Sequence, residues 1–481
     1  MKNISESPFF YNELFINGKW VKPKKMYDVF NPFNYEKIGE APFATKENVE
    51  QAISAAHNCF KSYRKSTPQY RSQLLKNWSK LCLEHKDELA KMITLEQGKT
   101  LEDAKGEIDY GLSFVDWFAD EAKRIYGHNI QSDRPDQIID VILEPVGVVG
   151  AITPWNFPFA MVTRKIAPAL AVGCTVVLKA SEETPYIAYA LAHLAKQAGF
   201  DDGAINIVTG DPAEIGQILC SDVRVRKISF TGSTRVGKIL AAQSAEHIQK
   251  LSLELGGNAP FIVFESADME EALKGALYLK QRNGSQSCVC GNRFFIHDSI
   301  YDQFVEEFSN RFSKQKSGNG FDCDSDYGPL INQTARDRVL GLIESSVKEG
   351  AKIVCGGKAS YNSCIEPTVL SEVQSDMTIA KEEIFGPVAP FYRFKTEEEV
   401  VEMANDTPYG LASYFYSKDF SQVMRVKNEL KSGMMGINET VIAKPQIPFG
   451  GVKESGIGKE GSFYGIHDYL DVKCTITKYE L

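Results

Sequence analysis

Between residues 146 and 253, short runs of β-branched and other apolar residues alternate with longer segments of helical character. The strand candidates are 146–152, 175–178, 205–208 and 225–230, and the helical segments are 158–172, 185–199 and 232–244. Such alternation is typical of βαβ units, in which helices cover both faces of a parallel sheet. A second set of strand and helix candidates follows Glu254 and extends to Cys355. The sequence therefore predicts an α/β fold with two doubly wound parallel-sheet domains.

The segments outside this alternation complete the predicted organisation. Helical periodicity covers 48–99, and the pattern of 469–479 predicts a final strand that pairs either within its own chain or with another subunit. We expect three parts, namely a first α/β domain in 1–125 and 145–250, a second in 251–445, and a small β element in 126–144 and 446–481.

Composition excludes several classes of protein. The 481 residues are 43% hydrophobic and 24% charged with a formal net charge of -9, which is typical of globular proteins and argues against binding of nucleic acid. Prolines interrupt the longest uncharged run, 145–163, so we expect no membrane span. No export signal is visible and the ten cysteines are scattered, so we expect a cytoplasmic location and no metal site.

Two strand ends carry groups suited to a phosphate-bearing ligand. Gly232 and Ser233 follow a strand and open a helix, whose N-terminal N–H groups attract anions, although the same residues would serve as an ordinary N-cap. Lys179 and Glu182 lie at the carboxyl end of another strand, where doubly wound sheets bind ligands. They could hold ribose hydroxyls, or form a solvated turn.

Three further residues are candidates for covalent chemistry. Asn156 lies between two prolines, which suits an oxyanion donor and equally a helix cap. Glu254 ends an apolar strand, where burial would raise its pKa and suit a general base, unless a cation pairs with it. Cys288 lies among Gly, Ser and Gln in a turn-rich segment, which favours a reactive thiol over the more common core cysteine.

Together these segments resemble the NAD(P)-dependent aldehyde dehydrogenase family over nearly the whole chain. The resemblance rests on the order and spacing of PWNFP (154–158), KASEETP (179–185), FTGSTRVG (230–237), LELGGNAP (253–260), QSC (286–288), EEIFGP (382–387) and PFGG (448–451). Within the family, the stretches around Arg164, 288–290 and 464–466 are similar to those of succinate-semialdehyde dehydrogenases. The resemblance implies oxidation of an aldehyde, here succinate semialdehyde, to its acid through a cysteine thiohemiacetal and a thioester.

The resemblance also implies a role for each predicted part and each matching residue. Segments 1–125 and 145–250 form the expected cofactor-binding domain, 251–445 the catalytic domain, and 126–144 and 446–481 the oligomerisation and bridging segments. Cys288 is the expected nucleophile, Glu254 the general base, and the Asn156 amide with the Cys288 backbone N–H the oxyanion hole. The expected cofactor-binding residues are Trp155, Lys179, Ser181, Glu182, Gly232, Ser233, Glu383 and Phe385. Arg164 and Arg282 are expected to bind the substrate carboxylate, the alternative being that each is a surface or salt-bridged arginine.

Three positions raise questions that the resemblance does not answer. Ser285 replaces the usual Gly three residues before the nucleophile, so a positive φ there would strain it. Ala443 replaces a serine that helps to bind the carboxylate, which would weaken binding of succinate semialdehyde or admit glutarate semialdehyde. Cys290 is two residues from Cys288, so a reversible disulfide between them is a hypothesis beside a plain packing role.

Cofactor choice, assembly and rival functions complete the expectations. Glu182 favours NAD because a carboxylate repels a 2′-phosphate, whereas Lys179 and Ser181 could accommodate NADP. A homo-oligomer, dimer or tetramer, is expected. The alternatives are a glutarate-semialdehyde or broad-specificity aldehyde dehydrogenase, a cysteine hydrolase or acyltransferase, and a non-catalytic nucleotide-binding protein.

Overall fold

The computed structural model describes residues 4–480. Its strands are β1 (Leu14–Ile16), β2 (Lys19–Val21), β3 (Lys25–Phe30), β4 (Lys37–Phe43), β5 (His128–Ile130), β6 (Gln137–Pro145), β7 (Val148–Ile152), β8 (Thr175–Lys179), β9 (Ile205–Val208), β10 (Val225–Thr231), β11 (Lys250–Glu254), β12 (Pro260–Val263), β13 (Arg293–His297), β14 (Lys352–Cys355), β15 (Ala359–Tyr361), β16 (Cys364–Ile365), β17 (Thr368–Ser371), β18 (Val388–Phe394), β19 (Ala412–Tyr416), β20 (Met434–Ile437), β21 (Gly456–Ile457) and β22 (Leu470–Lys478).

The helices alternate with these strands over most of the chain. They are α1 (Lys46–Tyr63), α2 (Pro68–Glu84), α3 (Lys86–Gln97), α4 (Leu101–Glu121), α5 (Ala160–Val172), α6 (Tyr186–Ala198), α7 (Pro212–Ser221), α8 (Thr234–Ser244), α9 (Met269–Gln281), α10 (Tyr301–Phe312), α11 (Gln333–Lys348), α12 (Thr378–Lys381), α13 (Glu397–Asn405), α14 (Phe420–Glu429) and α15 (Ser462–His467).

The first large sheet has eight strands in the order β2-β1-β9-β8-β7-β10-β11-β21. Its five central strands are parallel, while β1, β2 and β21 extend its edges in antiparallel pairs. Every residue of β7 and β8 is buried, as expected for parallel strands covered on both faces. One face packs against α2 to α6 and the other against α1, α7 and α8.

The second large sheet has seven strands in the order β14-β17-β18-β13-β12-β19-β20. Every neighbouring pair is parallel except the edge pair of β14 and β17. Helices α9 and α10 cover one face, and α11 to α14 cover the other. The prediction of two doubly wound, mostly parallel sheets is confirmed.

The last predicted strand pairs within its own chain. β22 lies antiparallel to β6, and β5 completes a three-stranded sheet on the other side of β6. Of the two alternatives that the sequence left open, the described chain contains the internal pairing. The predicted bridging segment 446–481 is divided, because β21 joins the first large sheet while β22 joins the small one. The proposed domain boundaries stay a prediction.

The sequence did not predict α4, α7 or α12 to α15, although α4 and α7 each begin with a recognisable capping residue. The Asp211 carboxylate caps α7 by accepting hydrogen bonds from the N–H groups of Ala213 (2.8 Å) and Glu214 (3.0 Å). The Thr100 hydroxyl caps α4 by accepting from the Asp103 N–H at 3.2 Å.

In the described part of the chain, no helix is both long and apolar enough to cross a membrane.

The buried Asn206 side chain links three elements of the first sheet. Its Oδ1 accepts a hydrogen bond from the Asn17 N–H at 2.9 Å, next to β1. Its Nδ2 donates to the Val176 carbonyl in β8 at 3.2 Å and to the Gly203 carbonyl at 2.9 Å. The amide therefore fixes how β9 sits against β8 and β1.

We expect Asn206→Ala to lower the free energy of unfolding by about 2–3 kcal/mol, because three backbone groups lose a partner and two of them, the carbonyls of Val176 and Gly203, are buried. Urea unfolding followed by tryptophan fluorescence measures this change. Asn129→Ala is the control, since that exposed amide makes one hydrogen bond to Asp140 at 3.0 Å and its loss should cost less than about 0.5 kcal/mol. Equal effects of the two substitutions would contradict the assigned role of Asn206.

Candidate active site

A cavity of about 450 Å³ lies between the carboxyl end of the first large sheet and the amino end of the second. Residues following β7 and β10 contribute one wall, and residues between β12 and β13 and before β18 contribute the other. Nine of the predicted site residues line it: Trp155, Asn156, Arg164, Gly232, Ser233, Arg282, Cys288, Glu383 and Phe385. Lys179, Ser181, Glu182, Glu254 and Cys290 lie outside this lining.

The nucleophile candidate Cys288 follows a turn of left-handed backbone. Asn283, Gly284 and Ser285 have φ values of 52°, 57° and 64°. Asn and Gly tolerate this region, whereas Ser285 is strained by it, as the sequence predicted for a positive φ. The buried Ser285 hydroxyl donates to the Leu279 carbonyl at 3.2 Å, which holds the strained residue against the end of α9.

The Cys288 thiol is half-buried and faces the cavity. Burial raises its pKa, the Glu383 and Glu254 carboxylates raise it further, and the Arg164 guanidinium lowers it. In the chain alone, therefore, the neutral thiol is favoured. The decrease in pKa that a reactive thiol needs is not supplied by the side chains around it.

The Asn156 side chain is held in place by residues 283–288, which we call the nucleophile segment. Its Nδ2 donates to the Gln286 carbonyl at 3.0 Å. An amide nitrogen carries two hydrogens, so one remains for a ligand oxygen in the cavity. The backbone carbonyl of Asn156 accepts from Lys99 Nζ at 2.9 Å and from Asn283 Nδ2 at 3.0 Å, which fixes the peptide plane.

Glu254 ends β11 and is buried behind the cavity wall. Neither oxygen of its carboxylate has a hydrogen-bond partner among residues 4–480. Burial and the Glu460 carboxylate raise its pKa well above the ordinary value. A carboxyl group with a raised pKa is a stronger base than an ordinary glutamate, which suits proton abstraction from water.

The two predicted substrate arginines differ in their partners. Arg164 Nη2 lies 2.7 Å from Glu460 Oε2, and both side chains are buried. Lys165 Nζ contacts the same carboxylate. Arg282 has no carboxylate within salt-bridge distance in the described part of the chain, and its guanidinium lies 5.0 Å from the centre of the Phe157 ring. Arg282 is therefore the cation left free for an anionic ligand.

The opposite end of the cavity offers donors to phosphate groups. Gly232, Ser233 and Thr234, at the beginning of α8, line it, and the Ser233 hydroxyl accepts from the Val236 N–H at 3.4 Å. The buried Thr231 hydroxyl next to them has no hydrogen-bond partner among the described residues. Lys179 and Glu182 form an ion pair at the end of β8. A helix N-terminus with an unused hydroxyl beside it fits a phosphate-bearing cofactor.

Glu383 and Phe385 lie between this end and Cys288. Burial raises the pKa of Glu383 to about 7, and its Oε1 accepts from the Gly257 N–H at 3.1 Å. Phe385 has a φ of 55° and meets the Trp155 ring edge to face, with 5.6 Å between the ring centres. A bulky residue held in the left-handed region indicates a functional constraint.

Comparison with known proteins decides the family. The model of the aldehyde dehydrogenase family matches residues 20–475. The chain belongs to the aldehyde dehydrogenase family. The predicted family and its enzymatic oxidation of aldehydes are thereby confirmed.

Several relatives are similar over their whole length. The chain is 48% identical to a succinate-semialdehyde dehydrogenase [NADP(+)] of Escherichia coli, with 98% of each chain covered. It is 48% identical to a glutarate-semialdehyde dehydrogenase of Pseudomonas putida, again with 98% of each covered. Among solved structures, an NADP-dependent enzyme of E. coli matches with a TM-score of 0.97 at 47% identity, covering 98% of this chain and 99% of that one.

Sequence reasoning missed the residues that hold the site together. Glu460, Lys165 and Lys99 each contact a predicted site residue or its partner. A signal for Glu460 existed, since Arg164 and Lys165 are adjacent cations in an otherwise apolar helix and buried charges need partners. The sequence did not reveal which carboxylate that partner is.

Gly257 leaves room for the nucleophile segment. A Cβ atom at this position would lie 2.6 Å from the Cys288 carbonyl oxygen, which is closer than real Cβ contacts. We expect Gly257→Ala to displace the Cys288 backbone and to slow aldehyde oxidation by about 100-fold, as expected for a shift of about 1 Å in a reactive group.

The rate of aldehyde oxidation measures this effect, with circular dichroism to verify folding. Gly341→Ala is the matched control, because a Cβ at this helical glycine meets nothing within 4 Å. Retention of full activity by Gly257→Ala would show that the close approach is not needed.

Proposed function

We propose that this enzyme oxidises an aldehyde carrying a distant carboxylate, with succinate semialdehyde as the first candidate, to the free acid with NAD(P) as cofactor. One observation carries the proposal: the Cys288 thiol, the held Asn156 amide and the unpaired Arg282 guanidinium face one cavity. Its other end offers the donors that a dinucleotide needs. A nucleophile, an oxyanion donor and an anion-binding cation then act on one substrate.

In the proposed mechanism, the Cys288 thiol first loses its proton to solvent. Its Sγ then attacks the aldehyde carbon, and the π electrons of the carbonyl move to the oxygen, which gives a thiohemiacetal anion. The free N–H of the Asn156 amide and the Cys288 backbone N–H stabilise the negative oxygen. When bound, the nicotinamide cofactor supplies the two-electron oxidant that converts this adduct to a thioester. Glu383 and Phe385 are proposed to orient the cofactor beside Cys288, and Gly232 and Ser233 to bind its pyrophosphate.

Glu254 is the proposed base for the second half of the reaction. Its unpartnered carboxylate takes a proton from water, which attacks the thioester and releases the acid. A base is needed because water is a weak nucleophile at neutral pH. The presence of a base that can activate water supports hydrolysis of the thioester, and therefore a free acid as the product.

Arg282 is the proposed anchor of the substrate carboxylate. A planar guanidinium binds a carboxylate through two parallel hydrogen bonds. The names of three relatives support an anionic substrate, since succinate-semialdehyde, glutarate-semialdehyde and 3-sulfolactaldehyde dehydrogenases, at 48%, 48% and 46% identity, act on aldehydes with an acidic group. Arg164 would contribute less because Glu460 neutralises it. Ala443 lines the cavity, and the smaller side chain supports glutarate semialdehyde as the alternative substrate.

Both nicotinamide cofactors are proposed to bind, with NAD favoured. The Glu182 carboxylate lies at the end of β8, beside the expected ribose position, and a carboxylate there disfavours a 2′-phosphate although Lys179 offsets part of its charge. Release of Lys179 from this pair, with Ser181 nearby, would admit NADP. The name of the E. coli relative, which specifies NADP(+), supports this second use.

A homo-oligomer is proposed from the small sheet. Val472 and Ile476 of β22 are 73% and 63% exposed, and Ile130 of β5 is 49% exposed. Exposed apolar side chains in a row on a sheet are typical of an interface between subunits.

Cys290 is buried beside Ser285, and its disulfide with Cys288 stays a hypothesis.

The first test measures reduced cofactor by its absorbance with succinate semialdehyde, glutarate semialdehyde and butanal, each with NAD and NADP. We expect Cys288→Ala to abolish the signal with every aldehyde. Arg282→Met should raise KM for the two charged aldehydes by about 10–100-fold, because a charge-assisted hydrogen-bonded pair is lost, and should change butanal by less than about threefold. An equal change with butanal would contradict carboxylate binding by Arg282.

The second test concerns the pH dependence of thioester hydrolysis. Because burial and the Glu460 carboxylate raise the pKa of Glu254, this base is protonated at a higher pH than an ordinary glutamate, and steady-state turnover falls as the pH decreases through that raised pKa. Glu254→Gln should retain the first rapid formation of reduced cofactor, slow later turnover by about 100-fold or more, and remove the pH dependence. A variant with unchanged turnover and pH profile would exclude Glu254 as the base.

A further inference from the structure

Lys99 and Glu107 form an ion pair with both side chains completely buried. Lys99 Nζ lies 2.7 Å from Glu107 Oε2. Burial of two charges costs free energy that their attraction repays only in good geometry, so such a pair is weak evidence for stability alone. The other hydrogen bonds of Lys99 and Glu107 therefore indicate the role of the pair.

Those hydrogen bonds are made to residues 156–160, the segment that contains the proposed oxyanion donor Asn156. Lys99 Nζ donates to the backbone carbonyl of Asn156 at 2.9 Å. Glu107 Oε1 accepts from the N–H groups of Phe159 at 2.7 Å and Ala160 at 3.1 Å, where α5 begins. The two partners of one ion pair thus hold both ends of the turn from Asn156 to Ala160.

The same helix, α4, also holds the nucleophile segment. Asp103 lies one turn before Glu107, and its Oδ2 accepts from the Asn283 N–H at 3.0 Å. Asn283 Nδ2 in turn donates to the Asn156 carbonyl at 3.0 Å. One face of α4 with Lys99 therefore fixes the Asn156 amide and the Cys288 segment relative to each other.

We propose that Lys99 and Glu107 are positioning residues that aim the Asn156 amide at the oxygen of the adduct on Cys288. The inference rests on the proposed role of Asn156 as oxyanion donor. Two donors, Lys99 and Asn283, bond the Asn156 carbonyl, so its peptide plane cannot rotate without breaking buried hydrogen bonds. Oxyanion donors act only in accurate geometry, and a misplacement of about 1 Å costs about 100-fold in rate.

The chain contains a matched control for this role. Glu96 is also completely buried and accepts from the N–H groups of Tyr186 at 2.9 Å and Ile187 at 3.1 Å, at the beginning of α6. It thus holds a helix start as Glu107 does. No hydrogen bond of Glu96 in the described chain reaches Asn156 or the nucleophile segment.

The test uses Lys99→Met combined with Glu107→Gln. Removing both charges together leaves no single buried charge, and the glutamine retains an oxygen for the start of α5. Two rates are measured on full-length enzyme: acylation of Cys288 by p-nitrophenyl acetate, which forms an oxyanion, and its alkylation by iodoacetamide, which does not. We expect acylation to fall about 10–100-fold and alkylation to change less than about threefold.

Three further variants make the outcome decisive. Glu96→Gln should change neither rate, Asn156→Ala should reproduce the selective loss of acylation, and the variant combining all three substitutions at Lys99, Glu107 and Asn156 should lose no more than Asn156→Ala. Equal loss of both rates, or additive losses in the combined variant, would overturn the positioning role. If acylation falls selectively in Asn156→Ala but not in Lys99→Met/Glu107→Gln, only the positioning role is overturned. If acylation is unchanged in Asn156→Ala, the proposed role of Asn156 as oxyanion donor is overturned as well.

Discussion

The Glu460 carboxylate is the contact on which the arrangement of charges around the cavity depends. It lies between the cations Arg164 and Lys165, far along the chain from both. Without it, two buried cations of α5 would be unpaired, at a cost of several kcal/mol. Its own charge raises the pKa of Glu254. A single carboxylate thus joins the C-terminal segment to the first sheet and prepares the proposed base.

The sequence predicted the fold well because periodicity is a local property. Strand and helix candidates such as 205–208 and 301–312 agree with β9 and α10. Among the helices that the sequence did not predict, α4 and α7 carry local capping signals in Thr100 and Asp211. Pairing of β22 with β6 is a contact between distant segments, and neither segment specifies its partner.

The candidate site was predicted unevenly for the same reason. Residues in strong local motifs, such as Asn156 and Cys288, were identified and line the cavity. The partners of buried charges were not identified. Lys99, Glu107 and Glu460 make their contacts only after distant elements have packed together, so no local pattern marks them. The two arginines appeared equivalent in sequence, and only the ion pair of Arg164 separates their roles.

The left-handed turn at residues 283–285 has a consequence for motion at the nucleophile. Residues in this region are separated from ordinary backbone conformations by steric barriers, so they change in discrete jumps and not by gradual bending. Small displacements of the sulfur are then left to rotation about the Cys288 side-chain bonds. The thiol can then change its position by rotation about its Cα–Cβ bond without any movement of this turn.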